Sequence, residues 1–179
     1  MQTQPAAAGS GSVTFNGTLQ SKQVQTQSAA PGTGTVTIGG TEQHITQDCV
    51  HHPCPVTYDT GTVSIIVNGL TTTVSYGQTS TSTTIATALT NAIDGNGSLP
   101  VSASLSGTVI TLTAKTSGSG TNYPLSTSVT YDSTDFSVAS FWATPSGSAL
   151  TGGRNAAFTT VYDSGTCVIT VNAHGDSAS

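Results

Sequence analysis

Four residues that can hold a metal or form a disulfide fall within one short stretch, Asp48-Cys-Val-His-His-Pro-Cys54. Cysteine thiolate and histidine imidazole are the usual ligands of zinc. Cys49, His51, His52 and Cys54 therefore raise the question of a metal centre. The spacing argues against one: two adjacent histidines between the cysteines match no zinc-site pattern, and four ligands so close along a chain have difficulty surrounding one ion. The reading adopted is a disulfide between Cys49 and Cys54 that closes a small loop around Pro53. Metal ligation through His51 and His52 is the minor alternative. A redox centre is disfavoured, because no helix start follows to lower a thiol pKa. The third cysteine, Cys167, reads either as a small buried hydrophobe in a strand or as a cross-link to a neighbouring chain.

The remaining polar residues converge on no reaction. His44 and His174 stand alone in polar sequence. Asp132 and Asp135 are close but lack a calcium-loop pattern. Asp59 and Asp163 share the phrase Tyr-Asp-(Thr/Ser)-Gly-Thr, which suggests a turn or cap whose carboxylate accepts backbone N–H groups. There is no Gly-x-Ser-x-Gly elbow, phosphate loop or helical histidine pair. With no nucleophile, base and oxyanion site in prospect, neither an enzyme nor a cofactor is expected. Asn16-Gly-Thr18 and Asn96-Gly-Ser98 match the glycosylation sequon, a match that arises by chance in a chain this rich in Ser and Thr. Tyr123, Phe141 and Trp142 have the chemistry to stack on sugar or to fill a core.

Composition narrows the partners. Only 6% of the 179 residues are charged, against about 25% in an average soluble protein. Three cations, Lys22, Lys115 and Arg154, cannot form a basic patch, so nucleic acid is not an expected partner. No apolar run approaches the roughly 20 residues that cross a bilayer, so membrane insertion is not expected either. The opening residues lack both the cationic and the apolar region of a signal peptide, which suggests a processed chain or an excerpt. Sparse charge also leaves little repulsion to keep one edge strand from pairing with another.

The elements that must position these residues are organised by repetition. Val56-Thr-Tyr-Asp-Thr-Gly-Thr-Val-Ser-Ile-Ile-Val-Asn68 returns as Thr160-Val-Tyr-Asp-Ser-Gly-Thr-Cys-Val-Ile-Thr-Val-Asn172, and residues 9–18 are echoed by residues 32–41. Repetition of this kind marks arrays, stalks and fibres. Val13–Phe15 and Thr35–Ile38 read as short strands, separated by a polar connector over residues 20–32. Residues 62–67 and 70–76 flank Asn68-Gly69, a strong hairpin signal. Ile85, Ala88, Leu89, Ala92 and Ile93 fall at helical spacing, with Ser82 or Thr83 placed to cap and Gly95 to terminate. A second hairpin joins residues 101–105 to 108–115 through Ser106-Gly107. Its second strand points Ile110, Leu112 and Ala114 to the buried side. Further strands are expected near residues 125–131 and 141–143.

Taken together, the fold expected is α+β and predominantly β: an antiparallel β-sandwich-like module with one short helix, flanked by partial repeat strands. Residues 1–32 would form an arm with a partial repeat strand, 33–153 a complete module, and 154–179 the start of the next repeat and a candidate donor strand.

The stretch from Gly34 to Gly153 resembles a module of giant secreted bacterial repeat proteins, adhesin-like and associated with YD-repeat (Rhs-like) proteins. The residues that carry the resemblance are Gly34-Thr-Val-Thr-Ile-Gly-Gly-Thr-Glu-Gln43, the Cys49 and Cys54 pair, residues 58–69, Ser75-Tyr-Gly77 and Leu150-Thr-Gly-Gly153. It implies a surface-exposed structural module without catalysis. Residues 84–124 also resemble, more loosely, the inserted domain of phage tail-sheath-type proteins, with the same helix-then-hairpin order; this implies a shared small fold.

The function expected is that of a structural, secreted or cell-surface protein assembling into a filament, fibre or stalk by β-strand exchange. The partner is then self, a homopolymer joined through Val13 and Phe15 at one end and Tyr162, Cys167, Val168, Ile169 and Val171 at the other. A lone strand leaves backbone groups unpaired and must find an edge, in its own module or in a neighbour's. The alternatives are an adhesin-type module binding surface glycans, through loops such as 116–124 and 132–146, and a phage tail structural component.

Overall fold

The computed structural model describes residues 9–49 and 53–171. Along the chain run β1 (Ser21–Gln27), β2 (Thr33–Gly40), β3 (His44–Thr46), β4 (Val56–Tyr58), β5 (Gly61–Val67) and β6 (Leu70–Tyr76). The helix α1 (Ser82–Gly95) follows, then β7 (Val101–Ser106), β8 (Val109–Ala114), β9 (Leu125–Thr130), β10 (Phe141–Pro145) and β11 (Ala157–Tyr162). The fold is mainly β with several antiparallel sheets, as the Thr- and Val-rich alternation requires. The described residues divide into two compact units, residues 25–157 and the two chain ends, residues 9–24 with 158–171.

In addition to the two-stranded sheet of β3 and β4, the larger unit contains two larger sheets that build its core. One has strand order β10-β2-β8-β7, the other β6-β5-β9. The helix lies against β6 and β7, while β9 and β10 come together at the other side, where the Thr127 hydroxyl donates to the Ala143 carbonyl at 2.8 Å. Val36 and Ile38 of β2, Val63, Ile65 and Val67 of β5, and Ile110 and Leu112 of β8 meet Ile85, Leu89 and Ile93 in one core. Burying each such side chain contributes about 1.5–3 kcal/mol. Pro145, with no N–H to give, sits on the edge strand β10.

Local signals explain most of these elements. Asn68 and Gly69 take φ of 52° and 77°, the two positive values that a two-residue turn between β5 and β6 demands. The helix begins one residue earlier than expected: Thr81, not Ser82 or Thr83, is the cap. Its hydroxyl accepts the Thr84 N–H at 3.1 Å, while the Thr84 hydroxyl accepts the Thr81 N–H at 2.9 Å. Thr81 alone combines extended backbone with a partner three residues on. Gly95 ends the helix as its last residue, and the Asn96 N–H closes it by donating to the Ile93 carbonyl.

The chain ends depart from expectation. Val13–Phe15 is not a strand, and Val13 and Phe15 are exposed. The expected polar connector instead contains β1. In the C-terminal copy only residues up to Tyr162 form a strand; Cys167, Val168, Ile169 and Val171 belong to none. The physical reason is the same in each case. A strand exists through its ladder partner. β1 and β11 have each other, and segments 9–18 and 164–171 have no facing strand among the described residues.

Candidate assembly site

Cys49 and Cys54 are joined by a disulfide across a Cα–Cα distance of 5.6 Å. It closes the loop between β3 and β4, whose register pairs His44 with Tyr58 and Thr46 with Val56. The His44 ring lies 5.6 Å from that of Tyr58, so this histidine takes part in the hairpin's side-chain pairing. His51 and His52, the minor metal candidates, lie outside the described residues. Among the described residues no three of His, Cys, Asp and Glu come together.

Asp59 is the buried polar centre of the larger unit. One carboxylate oxygen, Oδ1, accepts the Asp132 N–H at 3.0 Å; the other, Oδ2, accepts the Ser140 N–H at 2.7 Å and the Tyr76 hydroxyl at 3.0 Å. Burial pushes the carboxyl's pKa up, but these hydrogen bonds outweigh it and hold Asp59 below its ordinary 3.8. The same burial, with the adjacent carboxylate, pushes the Tyr76 phenol well above 10.0. The sequence placed Asp59 as a backbone-binding turn residue. Its reach is longer than a turn: it ties the end of β4 to the segments that follow β9 and precede β10.

The Tyr-Asp phrase recurs at Tyr162-Asp163, and the structure repeats its backbone setting too. Strand β11 pairs with β1, and the Asp163 N–H donates to the Gln20 carbonyl at 2.8 Å. In the larger unit the Asp59 N–H donates to the Gln43 carbonyl at 3.0 Å. Gln20 and Gln43 are 23 residues apart (43 − 20) and Asp59 and Asp163 are 104 apart (163 − 59), the two spacings of the sequence repeats. The β1–β11 pair therefore reproduces the β3–β4 pair. The Gln23 side chain adds a 2.8 Å hydrogen bond to the Thr160 hydroxyl. Gln20, Ser21, Lys22, Val161, Tyr162 and Asp163 line a shallow pocket beside it.

The expected assembly residues are bare. Val13 is 60% exposed, Phe15 62%, Val168 82% and Val171 87%. Tyr162 and Ile169 are also exposed, and Cys167 is an exposed free thiol, not a buried hydrophobe. Of the aromatic residues weighed for sugar stacking, Phe141 is buried and Tyr123 packs on the core. Trp142 is half exposed and lies across the backbone of Gly39, its cross-strand partner.

No family model matches the chain, and no curated protein matches it.

Proposed function

We propose that this protein is a structural module of an extracellular filament or stalk, joined to its neighbours by β-strand pairing at the two chain ends. The observation that carries the reading is the exposure of the apolar residues Val13, Phe15, Ile169 and Val171, on the segments that precede β1 and follow β11 in the chain. Exposed apolar residues at alternate positions, on segments with no facing strand among the described residues, are what strand addition uses. The sparse charge favours such pairing, since little electrostatic repulsion opposes it. An oxidising, extracellular setting agrees with the Cys49–Cys54 disulfide. The module has no enzymatic role in this reading; its stapled Asp59 is a tie between loops, with every oxygen engaged.

Electron microscopy of the native material tests the proposal. Thin regular filaments or stalks with a repeat of one module are expected. Discrete, monodisperse particles, unaltered by Phe15→Asp or Val171→Asp, would contradict it.

A further inference from the structure

We infer that residues 9–24 and 158–171 are the two halves of one interrupted copy of the module, and that a segment built like residues 69–153 completes it. The inference deepens the strand-pairing proposal and rests on it, because it names what covers the bare residues.

The two halves belong to one copy because they meet as the intact copy's halves do. Shifting by 23 residues carries β3 onto the start of β1, and shifting by 104 carries β4 onto the end of β11. The hydrogen bond from Asp59 N to Gln43 O then maps onto that from Asp163 N to Gln20 O. The module of residues 25–157 thus stands in the loop between the third and fourth strands of the outer copy. In the inner copy the same loop is short and closed by Cys49–Cys54; the outer positions equivalent to these cysteines hold Thr26 and Phe158. The arrangement is nested rather than head to tail.

The same shifts say what is missing. Val13 and Phe15 correspond to Val36 and Ile38, and Cys167, Ile169 and Val171 correspond to Val63, Ile65 and Val67, all in the inner core. Those inner residues are covered by β6, α1, β8, β9 and β10, which all lie within residues 69–153. Asp163 corresponds to Asp59, whose carboxylate partners Tyr76, Asp132 and Ser140 also lie in that range.

The glycines within the repeated phrases show what packing the repeat preserves. In the inner copy a Cβ on Gly32 or Gly61 would run into the carbonyl oxygens of Thr121 and Thr130, one on Gly34 would meet Leu150 at 2.7 Å, and one on Gly40 would run into Ser140. The outer copy keeps glycine at all four places, Gly9, Gly165, Gly11 and Gly17, although a Cβ on any of them would meet nothing within 4 Å among the described residues beyond its chain neighbours. The room is shaped for the same neighbours. One position differs: Asn16 replaces Gly39, over which the Trp142 indole lies. The completing segment therefore carries a smaller residue than tryptophan at that point.

Cys167 supplies the readout, because it is exposed here while its equivalent Val63 is fully buried. The test is maleimide labelling of the full chain, and of a chain in which Asn172 is followed by a second copy of residues 69–153 carrying Trp142→Ala. Completion should slow labelling about a hundredfold, as burial behind a local opening does, and Val171→Asp in the extended chain should restore the fast rate. Unchanged labelling in an extended chain whose inner module keeps its usual urea midpoint overturns the inference. Labelling of the natural chain that is slow and quickens on dilution means a second copy covers the face; that overturns the inference and leaves the strand-pairing proposal standing. Fast labelling in the extended chain and in native filaments alike overturns both.

Discussion

The Tyr76 hydroxyl donates to the Asp59 carboxylate at 3.0 Å, with both residues buried and Tyr76 packed edge-on against Phe141 at 5.0 Å between ring centroids. Asp59 also holds the N–H groups of Asp132 and Ser140. One carboxylate thus fixes three separate segments of the module.

Removing it takes the acceptor from the Ser140 and Asp132 N–H groups and leaves the Tyr76 hydroxyl with only the Thr130 carbonyl at 3.0 Å. Asp59→Ala should lower the stability of the larger unit by on the order of 3 kcal/mol, and Tyr76→Phe by about 1–2 kcal/mol. Urea unfolding followed by Trp142 fluorescence measures both. A loss under about 0.5 kcal/mol for Asp59→Ala would remove the carboxylate from its central place.

The pair sets the pH limits as well. The folded pKa of Asp59 lies below its unfolded 3.8, so its contribution is present above 3.8 and is lost as pH falls through the folded value. Tyr76 is raised above 10.0, so its contribution is complete below that pH and is lost as pH rises beyond it. Urea midpoints should fall at both extremes. Tyr76→Phe should flatten the alkaline limb, and Asp59→Asn the acid one.

The indole of Trp142 occupies the space a side chain on Gly39 would need. Gly39→Ala should lift the ring away from β2. Because Trp142 is the sole tryptophan, emission of the folded protein should shift to longer wavelength. An unshifted spectrum would mean that the ring does not rest there.

Thr79 holds φ at 73°, a conformation that costs a β-branched residue dearly. Its N–H donates to Glu42 Oε1 at 2.9 Å, which helps to keep it there. Thr79→Gly should therefore stabilise the module by about 1 kcal/mol, read as a higher urea midpoint. A lower midpoint would show that the threonine side chain contributes more than its backbone strain costs.

Much of the larger unit was legible because its signals are local. Asn68-Gly69 specifies its own turn, the Ile85–Ile93 stripe its own helix, and the alternation over residues 109–114 its own buried face. The disulfide was legible from the spacing of Cys49 and Cys54 together with the extracellular type of composition. Asp59 was half legible: its phrase marked a residue that accepts backbone N–H groups, but Asp132 and Ser140 are distant in sequence and no local pattern names them. The chain ends misled for a related reason. Val13–Phe15 and residues 166–171 have the composition of strands, and composition does not supply a ladder partner. β1 was missed because Ser21-Lys-Gln-Val-Gln-Thr-Gln27 is mostly polar, with Val24 and Thr26 its sole β-branched residues, and its strand pairing is with the distant β11. The signal that could have found it was the pair of repeat spacings, 23 and 104, read as two parts of one copy.

Hydrogen exchange on the isolated chain and on native assembled material tests the assembly proposal most directly. The strands β2 and β5 to β10 and the helix α1 should exchange slowly in both states, since their amides are paired within the sheets and the helix of the module. Residues 9–18 and 164–171 should exchange fast in the isolated chain and become protected in the assembly. Fast exchange of these two segments in both states would contradict the proposal that they join one module to the next.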